Sequence, residues 1–198
     1  AGIFDLSYLR CVPNMIVMTP SDENETRQML YTGWVHEGPA AIRYPRGRGP
    51  GVVIEQNMTA MPIGKARIVR EGSEVVFLAF GSLVPPALVA GDTLGATVVD
   101  MRFVKPLDED CVIAQTARHA LVVTLEENVV AGGAGSAVNE LLLARGMNTA
   151  VLNLGLPDRF PAHGNPDHEL ASYGLDADGI VASVRARLAD AARSSSAG

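Results

Sequence analysis

The stretch "AIRYPRGRG", residues 41–49, places Arg43, Arg46 and Arg48 within six positions at the end of an apolar run. Pro45 fixes φ and ends any hydrogen-bonded ladder, so Arg46 falls at the carboxyl edge of the strand that the run predicts. In open parallel α/β sheets ligands bind in the crevice at that edge. A guanidinium forks onto phosphate or carboxylate, and burying it without such a partner is unfavourable. Gly47 and Gly49 leave room for another surface to approach. On pattern alone two readings stay open: an anion site and an ordinary solvated basic loop.

Other groups carry less chemistry. "AGGAGSAV" (131–138) follows an apolar strand, as phosphate-binding turns do, because helix N-terminal amides attract anions. As a G-x-G-x-x-G motif, however, it has Val138 in the third position, and no acidic residue ends the next strand, where Asn153 stands. The plain alternative is that its glycines let a helix pack closely on a sheet. Glu126 and Glu127 are neighbours on a strand and point to opposite faces, so they cannot serve one substrate as an acid–base pair. One of them is expected in solvent or at the nearby helix N-terminus. His36, His119, His163 and His168 form no ligand spacing; Asp158, His163, Asp167 and His168 share a loop without a metal pattern. No G-x-S-x-G elbow occurs.

The elements that position these residues read as alternating strands and helices. "NMIVMT" predicts a strand, Ser21 or Asp22 caps a helix, and Met29, Leu30, Gly33 and Trp34 fall on one apolar face. "PAAIRYP" is the next strand and places Arg43 within it. A strand–helix–strand connection wants parallel strands. Residues 48–62 are an unpatterned, Gly/Pro-bearing connector. A second series follows: a short strand in "IGKARIVREG", then "EVVFLAF", a helix 84–94 opened by Pro85 and Pro86, "ATVVDM", and a helix from the cap Asp108 to His119. "ALVVTLEE" comes next, then a helix from Gly132 or Gly133 with Ala137, Val138, Leu141 and Leu142 inward. "TAVLNLG" and a helix at about 177–192, burying Ile180, Val181, Val184 and Leu188, complete the series, with "RSSSAG" a disordered tail.

The chain has 198 residues, 47% of them hydrophobic, and a formal charge of −6. Residues 1–70 carry 8 Lys/Arg against 6 Asp/Glu, and residues 71–198 carry 8 against 16. The acidic remainder argues against a nucleic-acid surface. No run reaches the roughly 20 apolar residues of a membrane span. Cys11 and Cys111 fit a reduced, cytoplasmic protein better than a disulfide.

Longer motifs narrow this. "FDLSYLRCVPNMIVMTPSDENETRQMLYTG", "RYPRG", "VVDMRFVKPLDE", "VTLEEN", "GGAGSAVNE" and "LNLGLPD" together resemble the 1-deoxy-D-xylulose-5-phosphate synthases of the transketolase superfamily, over about residues 2–190. The resemblance implies an α/β fold. Residues 1–50 would be the C-terminal part of a pyrimidine-binding domain, 51–62 a linker, and 63–198 a transketolase C-terminal-like domain. It implies a parent transferase that decarboxylates pyruvate and joins the two-carbon remainder to D-glyceraldehyde 3-phosphate, for isoprenoid, thiamin and pyridoxal synthesis. Thiamin diphosphate and Mg²⁺ would be held mostly by residues outside this chain. The family's G-D-G…N motif does not occur here, and its activating glutamate, stacking aromatic and an active-site histidine would precede Ala1. The expectation is therefore a C-terminal fragment that is inactive alone, with no catalytic, cofactor or metal residue of its own. Its partners would be the N-terminal part of the same protein and a second subunit, in a cytoplasmic homodimer with no nucleic acid or membrane partner.

In the family the second Arg of "RYPRG" binds the acceptor phosphate, a role that carries to Arg46. Asp5 and Tyr8 lie in the segment that passes near the active site, and Arg43 is expected to support the strand end. The rival readings are the β subunit of a 2-oxoacid dehydrogenase and a non-catalytic assembly module.

Overall fold

The computed structural model describes residues 2–45, 47–160 and 166–196. Arg46, His163 and the last two residues lie outside this set, as do the side chain of Asp167 and the side chains of residues 194–196. The elements in order are α1 (Asp5–Leu9), β1 (Ile16–Met18), α2 (Glu23–Val35), β2 (Ala40–Ile42), β3 (Arg67–Arg70) and β4 (Val75–Ala79). There follow a 3₁₀ turn (Gly81–Leu83), α3 (Val84–Leu94), β5 (Thr97–Asp100), β6 (Phe103–Lys105), α4 (Glu109–Arg118) and β7 (Leu121–Val129). The chain closes with α5 (Ala134–Ala144), β8 (Ala150–Leu156), α6 (Pro166–Ser172) and α7 (Ala177–Ser196).

The larger sheet has the order β3-β5-β4-β7-β8. β5, β4, β7 and β8 are parallel, and β3 runs antiparallel on the edge beside β5. Its inner strands β5, β4 and β7 are buried on both faces, as a parallel sheet between helices requires, while the edge strands β3 and β8 are partly exposed. Alternate residues sort accordingly: Val75, Phe77 and Ala79 pack with α3 and α7, while Val76 and Leu78 pack with α4 and α5. Local sequence sets the helix starts. Asp22 Oδ1 accepts from the Glu25 amide (2.7 Å), and Asp108 Oδ1 accepts from the Cys111 amide (3.2 Å). Pro85 and Pro86 occupy the first turn of α3, where no intrahelical amide is lost.

The smaller sheet has the order β2-β1-β6. β1 and β2 are parallel, as the strand–helix–strand pattern requires. The third strand, which the sequence reading missed, arrives from far along the chain: Val17 pairs with Lys105 and Met18 with Phe103 in antiparallel register. Ile16, Met18, Met29 and Phe103 form a small core of their own. Residues before and after the connector thus share one sheet. No helix among the described residues is long and apolar enough to cross a membrane.

Four expectations need correction. The inward stripe of α2 is Glu25, Gln28, Met29 and Thr32, so Leu30 and Trp34, one position further round, face out; Trp34 is 84% exposed. Gly33 does face inward, its α-carbon side closing on Ala40 and Ile42. Arg43 lies just beyond β2 rather than within it, although its amide extends the ladder by donating to the Met18 carbonyl (2.9 Å). Leu188 is partly exposed, because the core that α7 covers stops at Val184. That helix runs on through Ser196 and takes in four residues read as tail. α1 and α6 were also unread, both being short and lacking a clear apolar period.

Candidate functional site

Beyond the end of β2 the chain meets the first turn of α1 and the irregular far end of β7. Arg43 joins the three. Its Nη2 donates to the Gly2 carbonyl (3.1 Å) and to the Glu127 carbonyl (2.6 Å). Its Nη1 is 3.3 Å from Glu127 Oε2, and its Nε is 3.7 Å from Asp5 Oδ1. The Glu127 carboxylate also accepts from the Ser82 hydroxyl, in the 3₁₀ turn after β4. Arg43 is therefore a spent cation, saturated by this chain's own acceptors. Arg46, the residue expected to receive a phosphate, lies outside the described residues.

Asp5 accepts from the Leu6 amide (3.0 Å) in the first turn of α1, close to Arg43. Tyr8, on the same helix, is exposed. Beside them Asn128, fully buried, holds α1 to β7: its Oδ1 accepts from the Leu6 amide (3.2 Å) and its Nδ2 donates to Ser7 Oγ (2.9 Å). Arg10 then reaches the carbonyls of Gly132 (2.7 Å) and Gly133 (3.0 Å) and the Glu140 carboxylate (2.5 Å). Asp5 and Arg43 are brought together; Tyr8 stands at the margin.

The glycine-rich turn resolves differently. Glu126 is fully buried, and its two oxygens accept from the Ala134 amide (2.7 Å) and the Gly135 amide (2.8 Å) at the start of α5. The amides at this helix N-terminus have their acceptor already, supplied by the protein. Burial pushes the Glu126 carboxyl up to about 7, against the pull of the two amides and Arg10. Glu127 points the other way, as strand alternation requires. His119 is a core residue, its ring nitrogens meeting Thr97 Oγ1 (2.8 Å) and the Gln115 carbonyl (2.7 Å). Among the described residues no three His, Cys, Asp or Glu side chains converge to hold a metal ion. With the only glycine-rich helix start read in the sequence filled by Glu126, the described residues do not form a cradle for diphosphate and Mg²⁺, and no step through those groups follows from them. Cys11 and Cys111 are free thiols.

Comparison with known proteins supplies the frame. The family model for the transketolase C-terminal domain matches residues 64–180, and that for the transketolase pyrimidine binding domain matches residues 1–51. The chain belongs to the transketolase family. It is 59% identical over 187 residues to a 1-deoxy-D-xylulose-5-phosphate synthase of Alcanivorax borkumensis, covering 94% of this chain and 29% of that protein. It is 58% identical over 190 residues to the protein of that name from Thioalkalivibrio sulfidiphilus, covering 96% and 30%. Among solved structures it resembles one described as a split gene transketolase, inactive beta4 tetramer. That match has a TM-score of 0.84 and 34% identity, and covers 93% of this chain and 61% of the other.

The transketolase-family frame fits the α/β fold and the two matched segments. The Arg43–Glu127 contact joins those segments. So does a second polar cluster that sequence reasoning missed, in which Glu25 of α2 meets Asp100 of β5. No local signal could have revealed it, because its members are far apart in the chain and each looks like an ordinary cap or strand-end residue.

Proposed function

We propose that this chain supplies the later pyrimidine-domain segment, a linker at 51–62 and the C-terminal domain of a 1-deoxy-D-xylulose-5-phosphate synthase. The observation that carries the reading is the 59% identity over 94% of the chain to a protein of that name. The chain spans about 30% of the length of such relatives, so the activity belongs to the larger assembly. Thiamin diphosphate with Mg²⁺, held by residues outside this chain, would supply the carbon nucleophile that the decarboxylation of pyruvate needs. This chain's contribution is to orient the acceptor. Arg46 grips the phosphate of D-glyceraldehyde 3-phosphate, and Arg43, tied to Glu127 and Asp5, fastens the strand end three residues before it.

A second reading, of the chain alone, is favoured by the structural relative described as an inactive tetramer of one transketolase chain. By itself this chain associates with copies of itself and catalyses nothing; with the preceding portion of the protein it forms an active homodimer in the cytoplasm.

The test is reconstitution. The chain is fused behind the N-terminal portion of the Alcanivorax borkumensis relative and assayed for pyruvate- and glyceraldehyde-phosphate-dependent CO₂ release. Activity is expected from the fusion and none from the isolated chain; release by the isolated chain, or an inactive but folded fusion, overturns the reading. In the active fusion Arg46→Ala removes a charge-assisted forked contact of about 1.5–3 kcal/mol. That is roughly a tenfold to hundredfold loss in kcat/KM for the phosphorylated acceptor. Unphosphorylated glyceraldehyde should be little affected, and Arg46→Lys should recover part of the loss. Equal losses on both acceptors would remove the phosphate role.

A further inference from the structure

Glu25 and Asp100 face each other where the two family segments meet. Glu25 lies in the first turn of α2 and Asp100 ends β5; both are buried. Ser21 Oγ lies 2.9 Å from Glu25 Oε2 and 3.1 Å from Asp100 Oδ2. A hydroxyl has one hydrogen and can donate to one of these oxygens only. The second short contact requires that the other carboxyl bring a hydrogen of its own. The remaining groups indicate which carboxyl that is. Glu25 is the better-served anion: Oε2 accepts from the Ser21 amide (3.1 Å) and Oε1 from Arg102 Nε (2.7 Å). Asp100 Oδ1 accepts from the Arg102 amide (3.2 Å), and Arg67 Nη2 stands 3.4 Å from both Asp100 Oδ2 and Glu25 Oε1. Asp22 and Glu55 join Glu25, Arg67 and Arg102 in lining an open cleft of about 260 Å³, and add negative charge there.

We propose that Asp100 carries a proton beside an ionised Glu25, and that this proton latches the start of α2 to the end of β5, making the junction between the two segments sensitive to pH. The proton is lost to solvent through the cleft where Arg67 is half-exposed. Two facing carboxylates then remain, with only Arg102 and Arg67 between them. Charge environment and burial agree with the geometry. Burial and the neighbouring Glu25 push Asp100 up to about 7 against Arg102 and Arg67. Glu25 moves down instead: burial opposes its charge, but Arg102 and the Ser21 amide and hydroxyl outweigh it. Because the folded Asp100 binds its proton more tightly than the unfolded carboxyl, the latch is fully present in acid and weakens as pH rises through about 7.

The test is a carboxyl-carbon NMR titration of the intact chain from about pH 4 to pH 9, with amide hydrogen exchange followed over residues 19–25. An Asp100 midpoint near 7 is expected, with exchange over 19–25 rising as that proton leaves, after correction for the intrinsic pH dependence of exchange. Glu25→Gln should lower the Asp100 midpoint by about one unit or more, by removing the like charge. Asp100→Asn should keep exchange low and remove its pH dependence. An Asp100 midpoint near 4, or protection that stays flat while Asp100 titrates, overturns the proposal. Both outcomes are read on the unsubstituted chain even if a variant fails to fold.

Discussion

Arg43 and Glu127 meet twice: the guanidinium donates to the Glu127 backbone carbonyl at 2.6 Å and faces its carboxylate at 3.3 Å. Arg43 follows β2 and Glu127 lies in β7, so this contact ties the two family segments together at the edge where β2 ends. Both side chains are largely buried, so removing one strands the other. We expect Arg43→Met to lower stability by about 2–4 kcal/mol, near the range for breaking one side of a buried ion pair. Glu127→Gln, which keeps the backbone carbonyl and an acceptor oxygen, should lose about 1 kcal/mol. Urea unfolding with an unchanged slope measures both. An Arg43→Met midpoint equal to that of the parent chain would show that the contact is incidental.

Glu126 makes stability depend on pH. Its carboxyl moves from an ordinary value of 4.5 to about 7 on folding, chiefly because it is buried. A raised carboxyl stabilises the fold fully below its unfolded value, and this contribution fades as pH climbs through its folded value. The melting temperature should therefore fall between about pH 5 and pH 8. Glu126→Gln should flatten part of that fall, leaving the part due to Asp100. It should also reduce stability above about pH 7, where the ionised carboxylate offers two acceptor oxygens to the helix start and the amide offers only one. A melting temperature that rises over this window contradicts the assignment.

The large parallel sheet was legible because its strands are continuous apolar runs bounded by Gly and Pro, and because Asp22, Asp108, Pro85 and Pro86 mark helix starts locally. The split between Glu126 and Glu127 followed from strand alternation alone. What could not be read was tertiary. β6 is three residues long and finds its partner in β1, 85 or more positions away, so no period betrays it. The outward face of Trp34 was misread because apolar type was allowed to outvote helical phase, while polar Glu25, Gln28 and Thr32 turned inward to partners beyond the helix. The basic triplet at 43–48 was visible, but the acceptors that consume Arg43 were not, because Gly2, Asp5 and Glu127 lie far from it along the chain.

Gly135 shows what the glycine-rich turn is for. A Cβ there would lie 2.5 Å from Thr124 Oγ1 and 2.7 Å from Asn153 Nδ2, with Glu126 Oε1 at 3.1 Å. Thr124 and Asn153 are themselves bonded at 2.7 Å across β7 and β8. Gly135→Ala should gain helix propensity but displace this pair, for a net loss of about 1–3 kcal/mol from overpacking. Gly146→Ala is the instructive comparison, because open space surrounds it but its φ is +64°. That variant should lose about 1 kcal/mol through backbone strain alone. Thermal unfolding of the two decides. Gly135→Ala at parental stability would mean the turn is not held by close packing.

The connector is fastened along α2 by side chains that read its backbone. Glu23 Oε1 accepts from the Gly51 amide (2.8 Å), Asn24 Oδ1 from the Glu55 amide (3.0 Å), and Arg27 Nη2 donates to the Gln56 carbonyl (2.8 Å). Gln28 both donates to the Asn57 carbonyl (3.2 Å) and accepts from the Thr59 amide (2.6 Å), and Thr32 Oγ1 accepts from the Met61 amide (2.8 Å). These residues form one stripe of the helix, whereas Val53 of the connector is 91% exposed. Order in the connector should therefore depend on the helix stripe and not on the connector's own apolar side chains. Gln28→Ala removes two of the contacts and should weaken local closure by about 1–3 kcal/mol. Cleavage by thermolysin within 55–61 should then speed up roughly tenfold or more, since proteolysis follows the open population at about 1.4 kcal/mol per decade. A Val53→Thr control should leave the closure unchanged. If Gln28→Ala is cut no faster than the parent chain while Val53→Thr is cut faster, the apolar side chains hold the connector instead, and the polar stripe is only a solvated helix face.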